Sequence, residues 1–264
     1  MVTVTSVAVK TLLTPSKIPG ADYAINPYVG CTHGCLYCYA KYMRRVTHHT
    51  APWGSFLDVK TCSVPLKPSR LFHKHVLLSS VTDPYNPFEK RYQCTRRILQ
   101  QLVSCQAYVS ILTKSALVLR DIDLLSQLPG CEVGFSFSST DETLRRQLEP
   151  NTSTVEEKIK ALQTLHQHRI STAVMAAPLL PHLSDWQNIL TKTSPFTDVF
   201  RIDRLNLRAV SVPTMLGYIQ KENPSLLALY KQIFIQGDST YYDNLSKKIR
   251  TYCEQTHLRA EIFF

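Results

Sequence analysis

Short runs of apolar and β-branched residues alternate with longer amphipathic stretches along most of this chain. The runs have the length of buried strands, and the stretches between them repeat apolar residues at the spacing of one helix face. They recur at intervals of about 30 residues, which favours strands joined by right-handed helical crossovers into a parallel sheet. The predicted strands cover residues 24–29, 75–79, 107–113, 131–138, 170–176 and 198–202, followed by a strand-like tail at 258–264.

Helices are predicted between and after these strands, and two of them have recognisable start signals. They begin near Phe88, near Val155, at Pro224 and before Tyr242. Ser153 and Glu156 are predicted to form a capping box, in which the hydroxyl and the carboxylate each accept from a free backbone N–H. Asn223 is the predicted cap before Pro224, because proline is a good first residue of a helix.

The number of strand–helix units limits the choice of fold. Six units are too few for a closed eight-fold barrel, so the sequence predicts an α/β fold with an open, partial barrel. We expect residues 1–20 to be an N-terminal segment, 21–206 the core and 207–264 a mainly helical C-terminal extension. Parallel sheets of this kind place their chemistry at the carboxyl ends of the strands, so functional residues are expected in the loops that follow them.

Charge and composition narrow the class of protein. The formal net charge of +10 favours an anionic partner such as nucleic acid or a phosphorylated substrate, and a basic but solvated surface is the alternative. Residues 1–10 lack the pattern of a secretory signal, and the apolar stretch 170–180 is too short to span a bilayer. We therefore expect a cytoplasmic protein, whose eight cysteines are thiols or metal ligands rather than disulfides.

Three cysteines directly after the first predicted strand are the strongest chemical signal. Cys31, Cys35 and Cys38 lie within eight residues, and Gly30 and Gly34 permit the tight backbone that such a loop requires. Thiolates bind zinc and iron–sulfur clusters. A structural zinc site uses four ligands, usually as two pairs, and the other cysteines are isolated. The sequence thus predicts an iron–sulfur cluster with one open iron, and a zinc-stabilised nucleic-acid-binding module is the alternative.

The segment from Asn26 to Ala40 and its Cys-x3-Cys-x2-Cys spacing resemble the radical SAM superfamily. Within it, the segment is similar to the family related to spore photoproduct lyase, the SplB-like DNA repair photolyases. Further motifs that carry the resemblance lie at residues 82–89, 112–115, 120–121 and 148–151. The resemblance covers residues 21–206 and implies a partial (β/α)6, TIM-like barrel of the radical SAM type.

The resemblance also implies the chemistry. Cys31, Cys35 and Cys38 would hold a 4Fe-4S cluster whose open iron binds S-adenosyl-L-methionine. One electron from the cluster would yield methionine and a 5′-deoxyadenosyl radical that abstracts hydrogen from the substrate. An electron donor such as a flavodoxin or ferredoxin is the implied partner. The substrate is expected to be nucleic acid or, alternatively, a peptide or small metabolite, in a lyase-like or radical-transferase reaction.

At the methionine end of S-adenosylmethionine, the resemblance implies three contacts. Ser80 and Thr82 follow the second predicted strand, where the superfamily holds the amino group. Lys114 ends the third strand and would pair with the methionine carboxylate. A lysine at a strand end is costly unless an anion lies nearby, which favours this function.

At the adenosine end, the resemblance implies three more contacts. Tyr37 occupies the position where the superfamily usually has an aromatic residue, and the backbone there would lie near the adenine. Ser136 would face the ribose. Ala177 is small enough for the adenine to approach the backbone. Ordinary strand packing is the alternative explanation for this alanine.

Several polar residues have interpretations unrelated to the cofactor. Asp121 and Glu149 are interpreted as ion-pair partners of Arg120 or Arg145 rather than as catalytic groups. Ser80 stands where spore photoproduct lyase has its hydrogen-donating cysteine, and a serine O–H bond is too strong for that role. The sequence therefore predicts a reaction other than thiol-dependent repair of the thymine lesion.

A basic cluster follows the cysteine loop. It consists of Lys41, Arg44, Arg45, His48 and His49. Such a cluster is typical of a phosphate-binding surface or of a solvated helix face.

Overall fold

A computed structural model of the chain describes residues 2–207 and 211–264. In these residues the strands are β1 (Thr3–Ala8), β2 (Leu13–Pro15), β3 (Tyr23–Ile25), β4 (Tyr28–Val29), β5 (Phe56–Thr61), β6 (His75–Leu78), β7 (Tyr108–Thr113), β8 (Gly130–Phe137), β9 (Ser171–Leu179), β10 (Val199–Arg204) and β11 (Ala260–Ile262). The helices are α1 (Met43–Val46), α2 (Pro68–Leu71), α3 (Glu89–Tyr92), α4 (Cys94–Ser104), α5 (Ile122–Leu125), α6 (Glu142–Leu148), α7 (Val155–Gln167), α8 (Trp186–Thr193), α9 (Val212–Glu222), α10 (Leu227–Phe234) and α11 (Thr240–Gln255). Short 3-10 helices lie at Tyr39–Tyr42, Ala116–Asp121, Ser194–Phe196 and Pro224–Leu226.

The main sheet has eight strands in the order β11-β10-β9-β8-β7-β6-β3-β2. All neighbouring strands are parallel except β2, which runs antiparallel to β3. In the part of the chain that the structure describes, the edge strands β2 and β11 do not pair with each other. The predicted α/β fold is therefore confirmed, and the open sheet agrees with a partial barrel.

The two faces of the central strand β7 differ in burial. Val109 and Ile111 are buried in the hydrophobic core, which also includes residues of the surrounding helices. Leu112 points to the other face and is 39% exposed, although β7 lies between two strands. Side chains alternate between faces along a strand. Lys114, two residues beyond Leu112, therefore continues the open face at the strand end.

A second, three-stranded sheet was not expected from the sequence. Its order is β1-β5-β4, with β1 parallel and β4 antiparallel to β5. The single strand predicted at 24–29 was wrong, because β3 and β4 belong to different sheets. The break falls at Asn26 and Pro27, where the Asn26 side chain accepts from the backbone N–H groups of Ser80 and Val81.

Three predicted helix starts also need correction. The helix predicted from Phe88 is two helices, α3 and α4, separated at Gln93, whose φ is +50°. The capping box of α7 is formed by Thr154 and Glu157, one residue later than predicted. Asn223 makes no side-chain cap, and a 3-10 turn precedes α10.

The C-terminal part contributes to the main sheet as well as packing helices beside it. Strand β11 pairs in parallel with β10, and Ser246 in α11 donates to the carbonyl of Phe264. The segment boundaries at 20/21 and 206/207 stay predictions. Among the described residues, no helix has both the length and the hydropathy to cross a membrane.

Candidate functional site

The three cysteines lie in the loop between β4 and the 3-10 helix Tyr39–Tyr42. Cys31 and Cys35 are buried, Cys38 is partly buried, and none forms a disulfide. Burial raises the pKa of all three thiols, and the nearby Cys38 raises the pKa of the other two further. Lys114 opposes this by lowering the pKa of Cys35 and Cys38. The three thiols and the Lys114 ammonium therefore lie near enough to influence one another's charge.

Glycine is required at the start of this loop. Gly30 has a φ of +85°, and a Cβ atom built there would lie 2.6 Å from the carbonyl oxygen of Phe56. A side chain at this position is excluded by both the backbone conformation and the contact. The carbonyl oxygen of Gly30 accepts from the Thr82 hydroxyl, which connects the loop to the end of β6.

The loop is held from its other side by the turn after α6. The backbone N–H of Leu36 donates to the carbonyl of Leu148 at 2.8 Å. The Asn151 amide donates to the carbonyl of Thr32 at 2.9 Å, and His33 Nδ1 lies 2.7 Å from the carbonyl oxygen of Asn151. The motif at 148–151 thus supports the cysteine loop, a role that the sequence did not indicate.

Asp83 connects the loop to two strand ends. It is buried and accepts from the Thr113 hydroxyl at 2.7 Å and from the Lys114 backbone N–H at 2.9 Å. Its Oδ2 lies 3.2 Å from Nε2 of His33. Burial would raise the pKa of Asp83, but His33 and these donors lower it overall. The carboxylate therefore fixes the loop against β6 and β7.

Glu149 is a fully buried carboxylate next to the cysteines. It accepts from the Tyr37 hydroxyl and from Ser138 Oγ. Its oxygens lie 3.7 Å from Lys114 Nζ and 3.8 Å from Lys158 Nζ. Burial alone would raise the pKa of Glu149, but the two lysines lower it to about 2. Glu149 is therefore a fixed negative charge.

Lys158 lies on α7 and is the most unusual charge in the site. It is fully buried, donates to the carbonyl of Ser136 at 3.1 Å and lies 4.3 Å from the ring centroid of Phe137. Burial lowers its pKa to about 8, against the opposing effect of Glu149. The burial of Lys158 could not be predicted from the sequence, because α7 contains several other charged residues.

The predicted ion pairs were right for one carboxylate and wrong for the other. Asp121 pairs with Arg120 at 2.8 Å, as expected. Glu149 pairs with lysines instead, while Arg145 pairs with Glu142 at 2.8 Å and reaches Glu149 through its backbone carbonyl rather than its carboxylate. The Glu149 carboxylate is instead fully buried between Tyr37, Ser138 and the two lysines.

Four of the predicted S-adenosylmethionine contacts lie together. Lys114 Nζ donates to Ser136 Oγ, which donates to the carbonyl of Ala177 at 2.9 Å. Lys114 Nζ also lies 5.9 Å from the ring centroid of Tyr37. Lys114 directly follows β7, and Ser136 and Ala177 lie near the ends of the neighbouring strands β8 and β9, so the three form one row beside Cys35.

The other two predicted contacts lie on the β6 side of the loop. Thr82 is adjacent to Cys31 through its bond to Gly30. The Ser80 hydroxyl is 3.3 Å from the donating amide of Asn26, and the Ser80 carbonyl accepts from Tyr39. Its hydroxyl is thus already in contact with another side chain.

Unpartnered polar atoms surround the loop. Within residues 2–207 and 211–264, the buried side-chain atoms without a hydrogen-bond partner are His33 Nε2, Trp53 Nε1, Ser79 Oγ and Glu149 Oε2. His33 Nε2 still lies 3.2 Å from the Asp83 carboxylate, and Glu149 Oε2 lies 3.8 Å from Lys158 Nζ. Ser79, directly after β6, has a φ of +70°. Native proteins partner nearly all such atoms, so their concentration here fits a bound polar group.

The basic cluster is partly used within the protein. Arg44 donates to the carbonyls of His49 and Thr50, and Lys41 donates to the carbonyl of Leu36. Arg45 and His48 are exposed, whereas His49 lies 2.8 Å from the Asp58 carboxylate. The cluster therefore stabilises the loop and also leaves positive charge at the surface.

A three-thiol loop at the carboxyl edge of an open parallel sheet is the arrangement expected of a cofactor-dependent iron–sulfur enzyme. The chain belongs to the radical SAM superfamily, whose family model matches residues 25–191. It is therefore an enzyme of radical SAM chemistry, which uses S-adenosylmethionine and an iron–sulfur cluster. This decides against the zinc-stabilised module.

Relatives of considerable similarity exist in archaea and bacteria. An uncharacterized protein of Methanocaldococcus jannaschii is 38% identical over 200 residues, 76% of each chain. An uncharacterized protein of Mycobacterium tuberculosis H37Rv is 28% identical over 248 residues, with 84% of this chain and 71% of that one covered.

Solved structures share the fold. A spore photoproduct lyase double mutant with bound AdoMet and dinucleoside spore photoproduct has a TM-score of 0.66 at 16% identity, covering 99% of this chain and 82% of that one. Streptococcus suis SuiB bound to S-adenosylmethionine has a TM-score of 0.57 at 13% identity, covering 91% and 50%. These likenesses show that the chain shares the fold of these radical SAM structures.

Proposed function

We propose that Cys31, Cys35 and Cys38 hold a 4Fe-4S cluster and that the enzyme cleaves S-adenosyl-L-methionine reductively. When bound, the cluster supplies the electron that yields methionine and a 5′-deoxyadenosyl radical, which takes hydrogen from the substrate. The observation that carries this proposal is the group of buried, unpartnered polar atoms around the loop. A polar cofactor would give these atoms the contacts that buried polar groups need.

The arrangement of the thiols supports a cluster rather than a single ion. Among the described residues, no three His, Cys, Asp or Glu side chains converge as ligands of one metal ion. A structural zinc site needs four protein ligands around one ion. Three cysteines on a larger cluster leave one iron free, and we assign the amino and carboxylate groups of S-adenosylmethionine to that iron.

The polar row beside Cys35 supports the orientation of the cofactor. Burial would lower the pKa of Lys114, but Glu149 and the cysteines raise it overall, so the ammonium stays charged. We assign it to the methionine carboxylate. Ser136 and Ala177 then face the ribose and adenine, and the Tyr37 backbone lies near the adenine. Thr82 and Ser80 remain assigned to the amino-group side.

Anaerobic reconstitution with iron and sulfide tests the cofactor chemistry. We expect about four irons per chain and 5′-deoxyadenosine after reduction with S-adenosylmethionine present. Cys35→Ala should lose both, and Cys62→Ala, a cysteine outside the loop, should keep both. Bound zinc without iron, or no 5′-deoxyadenosine from an iron-loaded protein, would contradict the proposal.

A second experiment tests the assignment of Lys114. Lys114→Met should weaken S-adenosylmethionine binding at unchanged iron content, because the carboxylate loses its counter-charge. Lys160→Met, on the exposed side of α7, is the matched control and should bind normally. Equal affinity in both variants would remove Lys114 from the cofactor site.

We propose nucleic acid as the substrate class. The net charge of +10 and the exposed Arg45 and His48 beside the loop support an anionic partner. Tyr39, 49% exposed and bonded to the Ser80 carbonyl, adds an aromatic surface on which a base can stack. Because Ser80 has no thiol, the proposed reaction is one that needs no thiol donor at that position.

Binding of DNA and RNA at several salt concentrations tests this class. Affinity should fall steeply with salt, and Arg45→Glu should weaken binding and reduce the salt dependence. Lys248→Glu places the same charge change on α11, away from the loop, and should have a smaller effect. Absence of salt-dependent binding would favour a peptide or small metabolite instead.

A further inference from the structure

Three aromatic side chains form an exposed stack at the amino edge of the main sheet, the edge opposite the cysteine loop. Phe72 and His73 precede β6, and Tyr108 is the first residue of β7. The Phe72 and His73 rings lie nearly parallel, with centroids 4.1 Å apart and an angle of 15° between them. The His73 ring lies 5.5 Å from the ring of Tyr108, at an angle of 34°. The three rings therefore follow one another as a short stack.

Main-chain contacts hold this stack in place. His73 has a φ of +53°, and its backbone N–H donates to the carbonyl of Gln106 at 3.1 Å. The backbone N–H of Tyr108 donates to the carbonyl of Lys74 at 3.0 Å. A Cβ atom built on Gly130 would lie 2.7 Å from Cδ1 of Tyr108, so this ring fills the space that a side chain at the start of β8 would need. The positions of the rings are therefore set by the fold.

The stack is open at the Phe72 end. Phe72 is 60% exposed, more than any other Phe, Tyr or Trp among the described residues, and Tyr108 is 37% exposed. His73 covers one face of the Phe72 ring, so the exposed area belongs to the rest of that ring. Exposed apolar side chains that lie together indicate an interaction site, unlike scattered ones. A further planar ring can continue the stack on Phe72.

Positive charge lies beside the stack, at the start of β3. Arg70 lies over the ring of Tyr23, 5.7 Å from its centroid, and has no acidic partner in the part of the chain that the structure describes. Lys74 lies 3.3 Å from Asp22 in a half-exposed pair, and such pairs are weak. Strands β3 and β7 are the two neighbours of β6, so their starts lie about 10 Å apart. The cations and the rings therefore share one surface.

An open aromatic stack with cations at its side has the two features that bind single-stranded nucleic acid. Bases stack on aromatic rings whatever their sequence, and positive side chains bind the phosphates. A base inside a duplex is already stacked on both faces, so it cannot also stack on Phe72. The surface therefore fits unpaired bases better than a duplex.

We propose that Phe72, His73 and Tyr108 form a stacking platform for an unpaired base of a single-stranded nucleic acid, whose phosphates Arg70 and Lys74 contact. The inference deepens the proposed substrate class and rests on it. Tyr108 and Lys114 lie on the same face of β7, about 20 Å apart along the strand. A single strand bound at the platform can therefore extend along the open face toward the cysteine loop.

Phe72→Ala removes the open ring of the platform. Binding of a labelled single-stranded oligodeoxyadenylate, measured by fluorescence anisotropy, should weaken at least about fivefold, the smallest effect expected for one stacked base. Phe72→Trp keeps an aromatic face and should bind as tightly as wild type. The matched control is Ile235→Ala, which removes a side chain of similar exposure, 62%, at the end of α10 and should leave binding unchanged. Thermal unfolding should be the same in all four proteins, because both positions are exposed.

An abasic strand of the same length separates base stacking from phosphate binding. Wild type should bind it more weakly than oligodeoxyadenylate, and Phe72→Ala should reduce this difference. Arg70→Gln should weaken the binding of both strands alike and lower the salt slope by about 0.7. Unchanged affinity in Phe72→Ala, or equal binding of the two strands by wild type, would overturn the inference.

The platform and the proposed function fail differently. A wild-type chain that binds no nucleic acid would contradict the proposed substrate class and the platform with it. Binding that responds to Arg45→Glu but not to Phe72→Ala would contradict only the platform. Neither result changes the test of the cofactor chemistry, because iron content and 5′-deoxyadenosine are measured without nucleic acid.

Discussion

Two groups of buried charges support this fold, and they differ in how completely their atoms are partnered. The helix-end network consists of Glu89, Arg96, Arg120 and Asp121. Arg120 Nη2 lies 2.8 Å from both carboxylates, and Arg96 Nη1 lies 2.8 Å from Asp121. Glu89 also accepts from the Tyr28 hydroxyl and from backbone N–H groups at the start of α4.

The loop network consists of His33, Asp83, Lys114, Glu149 and Lys158. Its cations are more deeply buried than the two arginines of the helix-end network, and its lysine ion pairs are longer, at 3.7 and 3.8 Å. Two of its atoms, His33 Nε2 and Glu149 Oε2, lack a hydrogen bond. None of the four unpartnered atoms of the described residues belongs to the helix-end network.

The difference in hydrogen bonding between the two networks indicates that one serves stability and the other serves function. A fully partnered buried network fixes helices against strands, whereas a partly partnered one is destabilising unless something else completes it. We therefore interpret the first network as structural and the second as prepared for a cofactor. The following predictions test that division, from the largest expected effect to the smallest.

Glu89→Ala should give the largest loss of stability. It removes the carboxylate that partners Arg120 and the first N–H groups of α4, so the free energy of unfolding should fall by about 3–5 kcal/mol. Denaturant unfolding measures this, and Glu156→Ala, an exposed glutamate of α7, is the control. A loss below about 1 kcal/mol, or a reduced iron content in the folded fraction, would break the division between the two networks.

Glu149→Gln should have a smaller effect on stability, with a distinctive dependence on pH. The folded pKa of about 2 lies below the ordinary value of 4.5. Glu149 therefore stabilises the fold fully above pH 4.5 and loses this contribution as the pH falls toward 2. The variant should be less stable by about 1–3 kcal/mol at pH 7. Unfolding measured from pH 2 to 6 should show a weaker acid dependence than in wild type, and parallel curves would contradict this.

Lys158→Met tests a charge that opposes folding, whereas the charge of Glu149 favours it. The folded pKa of about 8 lies below the ordinary 10.5, so between these values the unfolded state binds more protons than the folded state. Wild-type stability should therefore rise with pH across this window, by about 1–2 kcal/mol relative to the variant. Denaturant unfolding from pH 7.5 to 10.5 measures the difference. A difference that stays constant with pH would show that Lys158 is not held in an unfavourable charged state.

Thr154→Ala should give the smallest loss of stability and provides a reference for the size of the other losses. It removes the hydroxyl that caps α7, at a cost of about 1 kcal/mol. Asn223→Ala is the matched control, because this residue has the sequence pattern of a cap but makes no side-chain cap bond. Equal losses in both variants, measured by thermal unfolding, would favour the sequence pattern over the observed contacts.

The central sheet was predictable because its strands are local runs with strong apolar periodicity. The predicted starts of β6 to β10 lie within a residue of those observed, since each run is bounded by polar residues or turns. The break between β3 and β4 was not, because it depends on the Asn26 side chain bonding to a distant loop. The shift from Ser153 to Thr154 has the same origin, since Ser153 Oγ accepts from the backbone of Ala116 instead.

Site residues could be predicted only where their spacing in the sequence, or their position after a strand, points to a function. The three cysteines were found by their spacing, and Lys114 by its place after a strand of the main sheet. Lys158 has no such signal, because its burial depends on how α7 packs in three dimensions. Ser80 and Ala177 were placed by resemblance, and their contacts with the cofactor stay predictions.

The supports of the cysteine loop come from far along the chain, and this has a consequence for its biogenesis. The bond from Asn151 to Thr32 spans 119 residues, and that from Ser211 to the carbonyl of Cys38 spans 173. The cysteines therefore leave the ribosome long before the residues that shape their surroundings. An iron–sulfur cluster inserted during synthesis would bind a flexible peptide, because the residues that support the three cysteines had not yet been made. The complete surroundings of the cysteine loop can therefore form only after Ser211 has been synthesised.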